Sequence, residues 1–188
     1  LHPRVRRQRQ MCIRDSNMSI LLDNEIMDSE YGEVLFTDYG LSGIVTMNLS
    51  HIAGRNFAQK KPKKCHAVLD LIPDMAEDEL TAYLNKYKSL HGILGKELSD
   101  IINKQADGDI TKMAKYAKCW KLIITGTKGF DFAQITEGGA SLAEFDHYKS
   151  KLINGLYACG EILDRQFKCG GYNLNHAWLS GIEVADSI

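Results

Sequence analysis

Residues 152–181, LINGLYACGEILDRQFKCGGYNLNHAWLSG, carry the strongest structural signals in this 188-residue sequence. The apolar run at residues 155–160 is bounded by glycines, which is typical of a strand buried on both faces of a parallel sheet. A helix is predicted to follow, with Asn173 as its cap, because apolar residues recur there at intervals of three and four. Those residues are Leu174, Ala177, Trp178, Gly181, Ile182 and Ala185.

Two features of this stretch point to a ligand. In doubly wound sheets ligands bind beyond the carboxyl ends of the strands, so Gly160, Glu161 and Asp164 stand where ribose or ribityl hydroxyls are bound. The alternative is that these carboxylates belong to an ordinary surface loop. The second feature is the run from Cys169 to Asn173, where two glycines precede a helix whose first-turn N–H groups attract anions. Its alternative is a plain tight turn.

At this point the sequence resembles the aminoacetone-oxidase-type family of NAD(P)/FAD-dependent oxidoreductases, bacterial flavoproteins that include reductases of bile-acid dienones. Residues 152–181 resemble the family's carboxyl-terminal flavin-binding segment. ITGTKGFDFAQITEGGASL (residues 124–142) is similar to its returning strands, and GEVLFTDYGLSG (residues 32–43) to its inserted domain. The resemblance covers most of residues 31–186.

The resemblance implies an α/β fold, α+β within this chain, in which a doubly wound FAD-binding domain is interrupted by an inserted domain of strands and helices. It places Gly160 and Glu161 along the ribityl and pyrophosphate, with Asp164 nearby and the pair Gly138–Gly139 beside the same pocket. Five residues would present their backbone to the isoalloxazine ring: Gly170, Gly171, Tyr172, Asn173 and Leu174. Family members often have Gln-Trp where this sequence has Asn175-His176, and we interpret His176 as a packing or surface residue.

The implied function is hydride transfer between NAD(P)H, FAD and an unknown small substrate. No catalytic residue is predicted, because the flavin carries the chemistry while the protein orients and tunes it. No G-x-G-x-x-G motif occurs in the sequence, although such enzymes bind the ADP pyrophosphate with it. We therefore expect a carboxyl-terminal fragment that is inactive by itself. The alternative function is a non-enzymatic interaction module of helices without flavin.

Composition excludes several classes of protein. Hydrophobic residues make up 44% and charged residues 25%, as in ordinary globular proteins. The net charge of −1 disfavours a nucleic-acid partner. Five widely spaced cysteines without C-x-x-C predict a reducing, cytoplasmic location and no zinc ribbon. The histidines lack metal-ligand spacing, so no metal is predicted. No run of 18 apolar residues is present, so no membrane partner is expected.

The first residues have a different composition from the rest. Five of the seven arginines lie within residues 1–14. The rest of the chain has 18 of the 23 basic side chains and all 24 acidic ones, so its net charge is −6. We interpret residues 1–16 as non-native sequence derived from adaptor DNA and exclude them from the fold; a basic nucleic-acid-binding arm is the alternative. Residues 17–120 are predicted to be a partial inserted domain, and residues 121–188 the returning strands and end of the FAD-binding domain.

The sequence predicts further strands and helices within these domains. Strands are expected at residues 31–37, 65–72, 121–125 and 132–136. One helix is expected to be capped by Ser42 and to end at Gly54. Three more helices follow in series. The first two carry apolar stripes at residues 80–87 and 90–102, and the third is capped by Asp109. The loop at residues 59–64, QKKPKK, is a solvated loop, a nuclear-localisation signal or a phosphate-binding patch.

Overall fold

The computed structural model describes residues 13–188, with side chains from residue 15 onward. Most of the segment that we interpret as non-native therefore lies outside the described residues. The chain divides into two compact units, a first unit that ends at Thr127 and a second unit of Lys128–Ile188. This boundary lies seven residues beyond the one placed at residue 120 from the sequence.

The first unit contains a five-stranded antiparallel sheet with the strand order β3-β2-β1-β4-β5. The strands are β1 (Ile13–Leu22), β2 (Glu25–Thr37), β3 (Gly40–Ser42), β4 (Cys65–Asp70) and β5 (Trp120–Ile124). Asp23 and Asn24 join β1 to β2 with φ angles of 50° and 70°. Positive φ at both central residues matches the twist of the two strands in a tight hairpin.

The central strand β1 corrects one expectation. Residues 13–16 were excluded from the fold because of their composition, yet they form the start of this strand. Ser16 is fully buried and pairs with Gly32 on β2. Composition indicates that a segment is unusual, but strand pairing depends on the neighbouring backbone, and the long strand β2 extends the ladder back to Ile13.

The core of the first unit lies between one face of the sheet and four helices. The helices are α1 (Ile44–Phe57), α2 (Glu77–Tyr87), α3 (Lys96–Ala106) and α4 (Ile110–Lys118). Alternate residues of β1 are buried, namely Met18, Ile20 and Leu22, because side chains of a strand point to its two faces in turn. The helices bury Leu49, Leu80, Leu84, Ile102 and Met113 against them.

The predicted helices exist, and their ends differ in detail. The Asp109 cap is confirmed, since its carboxylate accepts a hydrogen bond from the Lys112 N–H at 3.0 Å. Helix α1 begins after Gly43 instead of Ser42 and continues through Gly54 to Phe57. Helix α3 begins at Lys96, because residues 90–94 form a turn in which the Leu94 N–H donates to the Leu90 carbonyl.

The strand predicted at residues 121–125 is confirmed as β5, but it belongs to the first unit. It pairs antiparallel with β4, with Ala67 opposite Leu122, and this pairing explains the later boundary between the units. The strand predicted at residues 132–136 is wrong. A short 3-10 turn occupies Phe130–Phe132, and no named strand of the described chain lies beside it.

The second unit consists of the two-residue strands β6 (Phe145–Asp146) and β7 (Lys149–Ser150), three 3-10 turns and the helix α5 (Tyr172–Ser187). Among the described residues, all pairings between named strands are antiparallel. The mixed α/β class is thus confirmed, while a doubly wound parallel sheet is not formed by the described residues.

The buried strand predicted at residues 155–160 is also wrong. Residues 155 and 156 are exposed, and Tyr157 makes one isolated antiparallel bridge to Lys149. The run is apolar, but a strand needs hydrogen-bonded neighbours along its whole length. Within the second unit, the strand that the described chain places beside residues 155–160 is the short β7, whose Ser150 N–H donates to the Leu156 carbonyl at 2.8 Å.

Candidate functional site

The predicted ligand-binding residues all lie in the second unit, where a 3-10 turn at Gly160–Ile162 stands against α5. Gly160 is buried with φ +70°, and its N–H donates to the Ser180 hydroxyl at 2.9 Å. A Cβ on Gly160 would meet the Ala177 methyl at 3.5 Å. The turn is therefore fixed to the middle of α5 by a fully buried hydroxyl.

The Glu161 carboxylate faces the segment of residues 134–140. Its Oε1 accepts a hydrogen bond from the Thr136 N–H at 2.7 Å. A charged acceptor on a backbone donor makes one of the stronger classes of hydrogen bond. Glu161 thus holds the backbone just before the Gly138–Gly139 pair.

That glycine pair runs directly beside the turn. The Ala140 N–H donates to the Ile162 carbonyl at 2.8 Å, and the Asp164 N–H donates to the Ala140 carbonyl at 2.9 Å. Gly139 has φ +139°, and a Cβ there would collide with the Ile162 carbonyl oxygen. Only glycine allows this close approach of two backbones. The Asp164 carboxylate is exposed and accepts from the Gln166 amide at 3.2 Å.

The same segment reaches the start of α5. The Cys169 thiol donates to the Gln134 side-chain oxygen at an S–O distance of 3.7 Å. Three stretches that are separate in the sequence, residues 134–140, 160–164 and 169–171, are therefore joined by side-chain or backbone hydrogen bonds within the second unit. The resemblance implies that Gly138, Gly139 and residues of the other two stretches lie beside the flavin, and in the structure hydrogen bonds join the three stretches.

The first turn of α5 has no side-chain cap and no acidic residue. Gly170 and Gly171 precede it with φ +129° and +89°, and the Gly171 carbonyl accepts from the Asn175 N–H at 3.0 Å. Tyr172 and Leu174 are exposed. The orphan N–H groups of an uncapped helix start carry partial positive charge, so this end of α5 suits an anionic or hydrogen-bond-accepting group.

Asn173 does not cap this helix, contrary to the sequence prediction, because Gly171 is the N-cap residue. Its amide instead holds the preceding loop. The Asn173 Oδ1 accepts from the Phe167 N–H at 3.0 Å, and its Nδ2 donates to the Phe167 carbonyl at 2.9 Å. An asparagine at a helix start has both a donor and an acceptor, so it can satisfy another backbone as well as its own.

A cluster around Tyr148 was not found from the sequence. His147 and Tyr148 form the β6–β7 turn with φ +43° and +70°, a conformation uncommon for such residues. Burial, together with the nearby Glu183 carboxylate, raises the pKa of Tyr148. The His176 ring packs 5.0 Å from Phe167 and 6.3 Å from Tyr148, which confirms its packing role. No sequence signal marks a turn that lacks glycine and asparagine.

One face of α5 is open. Trp178 is 74% exposed and Ile182 is 53% exposed, and a shallow groove there is lined by Ala177, Trp178, Gly181, Ile182 and Ala185. Among residues 15–188 no three histidine, cysteine or acidic side chains are grouped as metal ligands. No helix in the described part of the chain has the length and apolar character to span a membrane.

The lysine-rich loop singled out in the sequence lies in the first unit, at the start of β4. Its backbone is fixed at two points. The Asn56 amide donates to the Lys63 carbonyl at 3.0 Å and accepts from the Lys63 N–H at 2.9 Å. The Asp23 carboxylate accepts from the Lys64 N–H at 3.0 Å, and the Asp23 N–H donates to the Lys64 carbonyl at 2.9 Å.

Comparison with known proteins adds a family and relatives. A family model described as the HI0933-like protein barrel and H2TH domain matches residues 12–135, which includes all five strands of the first-unit sheet. The chain is 29% identical to a 3-dehydro-bile acid delta(4,6)-reductase of Clostridium scindens, over 89% of this chain and 46% of the relative.

Two further relatives are ribosomal RNA dihydrouridine synthases. The enzyme of Haemophilus influenzae is 27% identical over 85% of this chain and 43% of its own length. That of Escherichia coli is 25% identical over 82% of this chain and 42% of its own length. The chain therefore spans less than half the length of each of these curated relatives.

Proposed function

Because this chain belongs to the family of the HI0933-like protein barrel and H2TH domain, we propose that it is part of a flavin-dependent oxidoreductase. The proposed cofactor is FAD and the proposed electron donor is NAD(P)H. The aminoacetone-oxidase-type subgroup and a cytoplasmic location belong to the same proposal.

The proposed reaction is the addition of hydrogen across a carbon–carbon double bond conjugated with a carbonyl group. A delta(4,6)-reductase of a 3-dehydro bile acid and a dihydrouridine synthase bear names that denote this type of change. In a dienone and in a uracil ring alike, the carbonyl withdraws electrons from the double bond, which makes its far carbon receptive to hydride. The same hydride chemistry would thus suit both substrates.

The residues of the second unit fit such a cofactor. The observation that carries the proposal is the junction of the glycine-lined backbone at residues 138–140 and 160–164 with the uncapped start of α5. Gly139 and Gly160 pack against this chain itself, whereas a Cβ on Gly138 or Gly171 would meet no atom within 4 Å, so at these two glycines a ligand can approach the backbone closely. N–H groups at a helix start favour the negative charge that a flavin gains on reduction.

In the proposed mechanism each group of this chain has a separate task. FAD, when bound, supplies hydride transfer between NAD(P)H and the substrate. Glu161 holds the Thr136 backbone, and Asn173 holds the Phe167 backbone, so both are positioning residues. The backbone at Gly170, Gly171, Tyr172, Asn173 and Leu174 is proposed to face the ring system, and Gly160, Glu161 and Asp164 the ribityl chain.

The test is a charge placed at the start of α5. Tyr172→Glu puts a carboxylate in the first turn of α5, where it favours the helix but repels an anionic ligand. In the protein expressed from the whole reading frame of the parent gene, we expect FAD affinity, measured by flavin fluorescence on titration, to fall roughly tenfold, corresponding to about 1.4 kcal/mol. Tyr172→Gln is the matched control with the same length and no charge.

The comparison of these two variants separates charge from packing. Equal FAD affinity in the two variants would contradict a flavin at this helix end. The second arm is expression of the whole reading frame of the parent gene, whose folded product should show flavin absorbance. A colourless, folded product would overturn the flavoenzyme proposal and favour the interaction module.

A second candidate function is reduction of a base in RNA. Two relatives act on ribosomal RNA by name, and the specific observation in its favour is the fixed lysine-rich loop of residues 59–64. The net charge of −1 led us to expect no nucleic-acid partner, but an average over the chain conceals such a local cluster. Under this second function the proposed reaction is the same, namely addition of hydrogen across a double bond conjugated with a carbonyl group.

A further inference from the structure

We infer that the loop of residues 59–64, together with Lys121 on β5, is a contact surface for the phosphate backbone of single-stranded RNA. We call this set the lysine surface. The inference rests on the second proposed function and deepens it, because it assigns the proposed RNA substrate a contact surface on the first unit.

The lysine surface concentrates charge that the described protein leaves unpaired. Lys60, Lys61, Lys63 and Lys64 are all exposed. None of these four ammonium groups makes an ion pair with a described residue. Beyond residue 14 the chain has a net charge of −6, so four lysines within six residues stand out against an acidic background. Such clustering is the electrostatic footprint of a phosphate-binding face.

The backbone is held at the carboxyl-terminal end of the loop, although the loop side chains are exposed. Asn56 is 1% exposed, and both of its side-chain hydrogen bonds go to the backbone of Lys63. Asp23 holds the backbone of Lys64 in the same way. Pro62 further restricts the chain. These contacts use no lysine side chain, so the ammonium groups have no structural task here and are free to bind a ligand.

The positive charge continues onto the sheet. Lys121 lies on β5 opposite Val68 of β4, and its ammonium group donates to the Asn24 side-chain oxygen at 2.6 Å. His66 is near both Lys64 and Lys121. Burial lowers the pKa of His66, and the charges of Lys121 and Lys64 lower it further. Lys64 of the loop and Lys121 of the sheet thus both lie close enough to His66 for their charges to act on it.

The shape of the lysine surface favours a strand of RNA. The chain bends at residues 59–61, so the lysines of the loop form a cluster, and such a cluster can contact neighbouring phosphates of one strand. Lysine is a compact point charge suited to phosphate contacts that do not read sequence. No large apolar residue separates the lysines of the loop, whereas segments that bind membranes interleave charged and large apolar side chains.

The test measures binding of a labelled single-stranded oligouridylate to the full chain by fluorescence anisotropy over a series of salt concentrations. The variant carries Lys60→Gln, Lys61→Gln, Lys63→Gln and Lys64→Gln. Affinity is expected to fall more than about tenfold near physiological salt, and the slope of log affinity against log salt is expected to shrink by about 2 to 3. The matched control removes the same charge from exposed helical lysines: Lys86→Gln, Lys96→Gln, Lys104→Gln and Lys112→Gln.

Several results would overturn the inference. They are no RNA binding by the native chain at low salt, equal losses in the two quadruple variants, or a loss that follows only Arg4→Gln, Arg6→Gln, Arg7→Gln and Arg9→Gln. Vesicles containing phosphatidylserine form the last arm. Binding to them that equals the RNA binding and disappears in the loop variant would assign the surface to membranes.

The outcome is distinguishable from that of the proposed function. RNA binding is measured without flavin, and in the protein expressed from the whole parent reading frame the loop substitutions should leave FAD affinity unchanged, because they replace none of the residues proposed to face the flavin. Loss of RNA binding with unchanged FAD binding supports the lysine surface. Circular dichroism of the loop variant checks its fold, which backbone contacts to Asn56 and Asp23 are expected to preserve.

Discussion

The two units differ in how completely they bury their apolar side chains, although Ile26 and Ile123 of the first unit are also exposed. In the first unit, alternate residues of the sheet and one stripe of each helix meet in a single buried cluster. In the second unit Leu163 is buried, but Leu152, Leu174 and Trp178 are each more than 70% exposed. The first unit therefore has a hydrophobic core of its own, whereas the second unit has apolar surface that its own residues do not bury.

The largest expected effect tests the self-sufficient core. Leu69→Ala removes a fully buried side chain from β4, and we expect the free energy of unfolding of the first unit to fall by about 2–5 kcal/mol. Urea titration followed by circular dichroism measures it. Ile123→Ala is the control, since Ile123 on β5 is 76% exposed and its truncation should change stability by less than about 0.5 kcal/mol. Equal costs at the two positions would remove the contrast between core and surface.

A smaller effect concerns the second unit alone. Gly139→Ala places a methyl group against the Ile162 carbonyl, which we expect to break the bridge at Ala140 at a local cost of about 1–3 kcal/mol. Hydrogen exchange should then accelerate in residues 128–188 while the unfolding of the first unit stays unchanged. Gly138→Ala is the control, because Gly138 also has positive φ but a methyl group there would meet no atom within 4 Å. If both variants alter exchange equally, backbone strain and not the close approach is responsible.

The smallest effect is a pH dependence of the first unit. The pKa of His66 is lowered by burial and by two lysines from its ordinary value of 6.5, so near that pH the unfolded chain binds more protons than the folded chain. Stability should therefore rise as the pH increases through this window and decline as it falls towards the folded pKa. Denaturant titrations at several pH values measure the slope, which His66→Asn should reduce. An unchanged slope in that variant would assign the dependence to other groups.

The candidate site was predictable in its parts. Glycine pairs, acids beside them and a helix start all have local sequence signals, and the residues from Gly160 to Leu174 were identified from these and from a resemblance. Their joining was not predictable. The contacts of Thr136 with Glu161 and of Gln134 with Cys169 connect residues 25 and 35 positions apart, and no local pattern encodes such pairings.

In the fold, too, local features were predictable and long-range pairings were not. Helical periodicity predicted α2 and α4, because a stripe repeated every three or four residues is a property of one segment. Strand β1 was not predicted, and residues 155–160 were wrongly predicted as a strand, because a strand depends on hydrogen bonds to its neighbours. An apolar run shows that a segment prefers burial, but it does not show which backbone will satisfy its N–H and C=O groups.

By itself the sequence determined the mixed α/β class, the series of helices, the Asp109 cap and the lysine content of the loop at residues 59–64. The tertiary structure alone decided that β5 pairs with β4, that Asn173 holds Phe167 instead of capping α5, and that Asn56 and Asp23 fix the lysine-rich loop. The physical reason is range. Propensity, periodicity and charge act between neighbours along the chain, whereas hydrogen-bond partners and buried faces depend on residues that meet only after folding.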